Sequence, residues 1–236
     1  MSGTSVAYQD GDQPLEGYLT AMPQGLPRPG VLVVPTWLNV NESIRRRADR
    51  IAELGYAVFV ADVFGAGVRP GPPQLPQAVV APFLNDRMLF RRRLFASLHA
   101  FRSRPECEED RIAAVGYCLG GCGVLELARA GAPVRGVLSL HGILSAPIPA
   151  KPHAVEAKVL VLHGDADQVA PAGGVIDFQK EMQLAEANWQ INIYGNAKHG
   201  FTGEGAAEDR TPDAGLHPQT EARSWQTTVE FLREVC

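Results

Sequence analysis

The run Ile112-Ala113-Ala114-Val115-Gly116-Tyr117-Cys118-Leu119-Gly120-Gly121 decides how this chain is read. Four apolar residues form a buried-strand signature, and an amphipathic, helix-like segment follows at 119–130. Between the two, glycines flank a thiol. That order places Cys118 on a sharp strand-to-helix turn, where glycine tolerates the tight backbone and a helix N-terminus lies beneath the sulfur. A cysteine so placed is exposed, sits in a positive local field, and has backbone N–H groups nearby to hold an oxyanion. The pattern is a nucleophile elbow with cysteine in the usual place of serine.

Working outward, apolar runs at 31–35, 57–61, 112–116, 137–141, 159–163 and 190–194 alternate with helix candidates at 43–54, 84–102, 119–130, 175–187 and 220–234. The runs are almost continuously apolar, as strands covered on both faces should be. Strands alternating with helices predict a mainly parallel, doubly wound sheet in a three-layer α/β/α sandwich. Segments 6–9 and 15–19 flank Asp10-Gly11-Asp12 and read as a hairpin added antiparallel at one edge. The whole chain, 1–236, reads as one domain. Residues 65–82 hold three glycines and five prolines and are expected to form an extended loop, either a lid over the substrate or a plain surface connection.

Composition narrows the function. A chain of 236 residues, 45% hydrophobic and 20% charged, can bury a substantial core. The net charge of -4 favours neither nucleic acid nor an anionic membrane as partner. Residues 1–14 lack the apolar core of a signal peptide, and no apolar run approaches the ~20 residues of a membrane span, so the expected location is the cytoplasm. The clusters Arg45–Arg47 and Arg91–Arg93 are expected on solvated helix faces. The cysteines at 107, 118, 122 and 236 match no disulfide or zinc spacing, so no metal is expected.

A thiol nucleophile needs a base, and the base needs an acid to orient it. Asp165 and Asp167 follow the strand at 159–163, and His199 follows the strand at 190–194. Both positions lie past C-terminal strand ends, the edge where reactive groups of such sheets collect and where Cys118 lies. The chain order is nucleophile, acid, base. His199 would take the thiol proton and Asp167 would hold the imidazole tautomer, while Asp165 tightens the turn. The amide of Leu119, directly after the thiol, and that of Trp37 are the expected oxyanion donors. Trp37, Phe64, Phe83 and Phe201 are candidates for an apolar pocket or for ordinary core. His141 and His163, each at a strand end, read as hydrogen-bonded core histidines bordering the site.

With these residues in place, the chain resembles the dienelactone hydrolase family of α/β-hydrolases. The likeness runs through Arg45–Asp49, Leu54-Gly55-Tyr56, Gly116–Gly121, Ser139-Leu140-His141-Gly142, the turn at 164–167, and Tyr194 with His199-Gly200-Phe201-Thr202. The resemblance implies a Cys118–Asp167–His199 triad, no metal or organic cofactor, and a small-molecule ester or lactone as substrate. It also marks two departures. Family members that cleave dienelactone carry a glutamate where this chain has Thr36, and an arginine for the substrate carboxylate where it has Gly203. Arg87 is the remaining candidate for that carboxylate, with Thr36, Phe64 and Phe201 as further substrate contacts.

The expected activity is hydrolysis of carboxylic esters or lactones through a thioester acyl-enzyme. Without the glutamate, the resting site is expected to be a thiolate–imidazolium pair. Two alternatives stay open: thiol redox chemistry with Cys122 as resolving partner, and ligand binding without turnover.

Overall fold

The computed structural model describes residues 3–21, 27–203 and 214–236. Its strands are β1 (Thr4–Asp10), β2 (Gln13–Thr20), β3 (Arg28–Val34), β4 (Ala57–Val60), β5 (Cys107–Tyr117), β6 (Gly136–Leu140), β7 (Lys158–Gly164) and β8 (Trp189–Tyr194). They form one sheet in the order β1-β2-β4-β3-β5-β6-β7-β8. The pairs from β4–β3 through β7–β8 are parallel, while β1 and β2 join antiparallel at one edge. This is the expected α/β-hydrolase architecture. Among the described residues, no helix is long and apolar enough to cross a membrane.

Strand alternation divides the core in two. Val31, Val33, Val58, Val60, Val115 and Leu138 turn toward α1 (Glu42–Ala52) and α6 (Pro218–Val235). Leu32, Val34, Phe59, Ile112, Ala114 and Val137 face the opposite layer. That layer comprises α2 (Pro76–Asn85), α3 (Arg87–Arg102), α4 (Leu119–Arg129) and α5 (Ala172–Leu184). Successive side chains of a strand point to opposite faces, so apolar runs on β3, β4 and β5 supply both cores at once.

Two expectations about elements change. The glycine- and proline-rich segment is not loop throughout, because α2 begins at Pro76 and includes Pro82. Pro76 occupies the first turn, where no N–H partner is needed, and burial of Val80 and Phe83 offsets the backbone bond that Pro82 cannot donate. The helix expected from Leu84 breaks at Asp86, whose side chain accepts from Leu89 N at 2.9 Å and caps α3.

The arginine clusters also depart from solvated faces. Arg93 is buried and paired with Asp10, and Arg91 reaches the fully buried Glu126 at 2.8 Å. Arg47 bonds Glu221 at 3.0 Å and the Thr202 carbonyl at 3.1 Å, tying α1 to α6 and to the loop after β8. Arg46 and Arg92 do remain at the surface, as expected.

Candidate active site

At the end of β5 the chain reverses into α4 through Cys118, whose backbone is held at φ 53, ψ -113. This left-handed geometry is costly for a non-glycine residue and persists only where surrounding packing enforces it. A Cβ on Gly116 would lie 2.0 Å from the Gly120 carbonyl oxygen, and one on Gly120 would lie 2.0 Å from that of Val34. Both glycines are therefore required. The close approach at Gly120 also seats the start of α4 against the loop leaving β3, which brings the Leu119 and Trp37 backbones to the same edge.

The Cys118 thiol is half-buried and Sγ lies 3.1 Å from His199 Nε2. His199 Nδ1 lies 2.9 Å from Asp167 Oδ2, and both residues are buried. The other carboxylate oxygen of Asp167 accepts from the amides of Val169 and Ala170, each at 2.9 Å. Asp167 is thus locked in its own turn while it faces the imidazole. Asp165 is exposed and contributes a backbone bond, its N–H donating to the Tyr194 carbonyl at 2.9 Å.

Burial alone would push the proton off His199. The electrostatic influence of Cys118 and the hydrogen bonds to Asp167 and Cys118 outweigh it and raise the imidazole to about 10. The imidazole thus lies between Cys118 and the Asp167 carboxylate, the two neighbours that favour its protonated form.

The Leu119 amide opens α4 and has no intrahelical acceptor. In the loop after β3, Asn39 N bonds the Thr36 carbonyl at 3.1 Å and Leu38 N bonds Thr36 Oγ1 at 3.3 Å. Neither bond uses the Trp37 N–H. The Trp37 side chain packs in the core.

Asp62, which sequence reasoning missed, holds this loop. Its Oδ1 accepts from Asn39 Nδ2 at 2.7 Å and from the amides of Phe64 and Gly65 at 3.0 and 2.9 Å. Its Oδ2 accepts from Glu16 N at 2.9 Å. An acid directly after a strand was the available signal, but its partners come from three separate segments.

Cys118 and His199 open into a cleft of about 200 Å³. It is lined by Val80, Ala81 and Leu84 of α2 together with Ile143 and Val169. Four side chains expected at the substrate do not line it. Thr36 is buried in its own turn, and Phe64 packs edge-on against Phe83 at 5.0 Å. Phe201 is fully buried against His141, ring centroids 5.0 Å apart. Arg87 is buried beneath α4, with Nη1 2.9 Å from Cys122 Sγ and Nη2 3.4 Å from Ser145 Oγ.

The second cysteine is thereby removed from reach. Cys122 is fully buried, burial raises its thiol to about 11, and Arg87 holds it on the α3 side. A resolving role would require unwinding α4.

The dienelactone hydrolase family model matches residues 15–236, nearly the whole chain. The chain belongs to the dienelactone hydrolase family. Among solved structures, it is similar to a dienelactone hydrolase-like promiscuous phosphotriesterase from metagenomic libraries: 30% identity, TM-score 0.90, with 99% of this chain and 98% of that one covered. A probable 2-oxo-3-(5-oxofuran-2-ylidene)propanoate lactonase of Bradyrhizobium is 24% identical, covering 87% of this chain and 83% of the relative. A mouse carboxymethylenebutenolidase homolog is 25% identical, covering 79% and 76%. As a member of this family, the protein is a hydrolase acting on small-molecule carboxylic esters or lactones.

Proposed function

We infer that Cys118 is the nucleophile of a thiol ester or lactone hydrolase, with His199 as proton carrier and Asp167 as the group that orients it. The observation supporting this is the unbroken series of contacts at the cleft: sulfur to imidazole at 3.1 Å and imidazole to carboxylate at 2.9 Å. In the resting site the thiolate faces the imidazolium. The sulfur attacks the ester carbonyl carbon, forming a C–S bond and a tetrahedral oxyanion held by the N–H groups of Leu119 and Trp37. As the C–O bond breaks, the His199 proton passes to the departing alkoxide and an alcohol leaves. The acyl group now sits on Cys118 as a thioester.

Water then attacks the thioester carbon and gives a proton to His199 Nε2. The C–S bond breaks, a carboxylic acid leaves, and the thiolate–imidazolium pair is restored. The sum is ester plus water to acid plus alcohol. Substrates with good leaving groups suit the scheme, because a thiolate is expelled from a tetrahedral intermediate more readily than most alkoxides.

Hydrolysis of para-nitrophenyl butyrate by the native protein and by Cys118→Ala tests the reading. Steady turnover in the native protein, lowered by ~10³-fold or more in the variant, supports it. Equal rates in the two proteins, or a single acylation burst without turnover, would count against it.

A further inference from the structure

We propose that this enzyme selects esters whose cleft-bound portion is an uncharged alkyl or aryl group, and that it discriminates against substrates carrying a carboxylate there. The proposal rests on the assignment of Cys118 and His199 given above and names the substrate class of that site.

The cleft wall is apolar around the reacting pair. Besides Cys118 and His199, its only polar side chains among the described residues are Gln77 and Asn85, and neither carries a charge. No arginine or lysine lines it among those residues. In sequence, Lys198 adjoins His199 but is exposed and does not line the cleft, and Arg87, two residues after Asn85, is turned away. Arg87 is buried, bonded to Cys122 and Ser145, and lies 3.9 Å from the buried carboxylate of Glu126. Its charge is thus already matched beneath α4.

Asp86 follows α2 directly and spends its side chain on the α3 cap. Among the described residues, a substrate carboxylate entering the cleft would shed water and meet no cation other than the His199 imidazolium, already flanked by Asp167 and Cys118, so its desolvation is poorly compensated. An apolar group meets the opposite situation. The space of about 200 Å³ somewhat exceeds the ~150 Å³ apolar cavity that holds a benzene ring, so one aromatic ring or a short chain fits. Leu75, which caps the start of α2, is an exposed apolar side chain.

The test compares para-nitrophenyl hexanoate with mono-para-nitrophenyl adipate, which has the same chain length but ends in a carboxylate. The native enzyme is expected to favour the hexanoate in kcat/KM by ~10²-fold, the penalty for an unpaired charge in such a site. Gln77→Arg, and independently Leu84→Arg, should each narrow that ratio by ~10-fold, because a cation then faces the carboxylate. A native ratio near unity, or a preference for the adipate, overturns the proposal while leaving the hydrolase reading standing.

A binding measurement separates the two failures. In Cys118→Ala, hexanol should raise the melting temperature and adipate should not. That result would uphold the cleft's selectivity even if turnover proved absent; stabilisation by adipate equal to that by hexanol would overturn it.

Discussion

The amide of Cys118 donates a bifurcated hydrogen bond, to the Leu140 carbonyl at 3.1 Å and to His141 Nδ1 at 3.2 Å. Because Nδ1 accepts, the His141 proton lies on Nε2, 2.8 Å from Thr202 Oγ1. His141 therefore joins the two halves of the site. It braces the strained Cys118 turn on one side and the His199-to-Thr202 loop on the other. Its ring also stands edge-on to that of His199, centroids 5.3 Å apart.

Replacing this bracket should affect the chemical step more than binding. For His141→Gln we expect kcat to fall by roughly tenfold with KM changed by less than about threefold, since the residue touches the elbow and not the cleft. Steady-state kinetics on a soluble, folded variant decide it. A fall confined to KM would argue against positioning.

The same residue shapes the acid limb of stability. Burial, followed by repulsion from His199 and Arg47, holds His141 well below the usual imidazole range, so the native ring stays neutral. The unfolded chain takes up a proton below about pH 6.5 that the native chain refuses, so stability falls as pH drops through that value. Urea melts between pH 7 and 5 should show a shallower loss in His141→Gln. Some loss should remain, because burial lowers His163 in the same sense.

His199 predicts the opposite limb. Raised to about 10, it should remain protonated through neutral pH and lose its proton near that value. The rate should therefore be level through pH 7–9 and decline near pH 10, where no proton remains for the leaving alkoxide. In Cys118→Ala the sulfur contact that helps raise His199 is gone, so the His199 titration followed by NMR should move to lower pH. An unmoved titration would mean that Asp167 alone sustains the shift.

Asp167→Asn keeps an oxygen for the Val169 and Ala170 amides but loses the negative charge facing His199 Nδ1. We expect kcat to drop by ~10²-fold or more while the fold is retained, as when a triad acid is neutralised without moving it. Near-native activity in a well-folded variant would remove Asp167 from the mechanism.

On α4 itself, Glu126 is fully buried, 3.0 Å from Arg129 Nη1 and 2.8 Å from Arg91 Nε. Arg129 in turn engages Glu181 at 2.9 Å, bridging α4 to α5. Removing one member of such a network leaves uncompensated charge in the interior. Glu126→Ala should cost about 3 kcal/mol of stability, measured by denaturant unfolding. A loss under about 1 kcal/mol would show that water or rearranged side chains compensate.

The sequence by itself determined the parallel sheet, its antiparallel edge, and the elbow at Cys118. These depend on local order: a continuous apolar run, glycines at the turn, and an amphipathic helix after it. The position of His199 just past a strand end was legible for the same reason, since the C-terminal ends of parallel strands share one edge. Tertiary structure decided what local pattern cannot encode. Along the chain Arg93 reads as a surface charge and Arg87 as a substrate contact, yet the edge strand and α4 supply buried partners for them. Asp62 and His141 gained their roles from segments far apart in sequence, and α2 formed where prolines argued against it because its apolar side had a core to cover. The physical divide is between order set by neighbours along the backbone and partners set by packing, where a charge or an imidazole takes its function from whatever the fold brings against it.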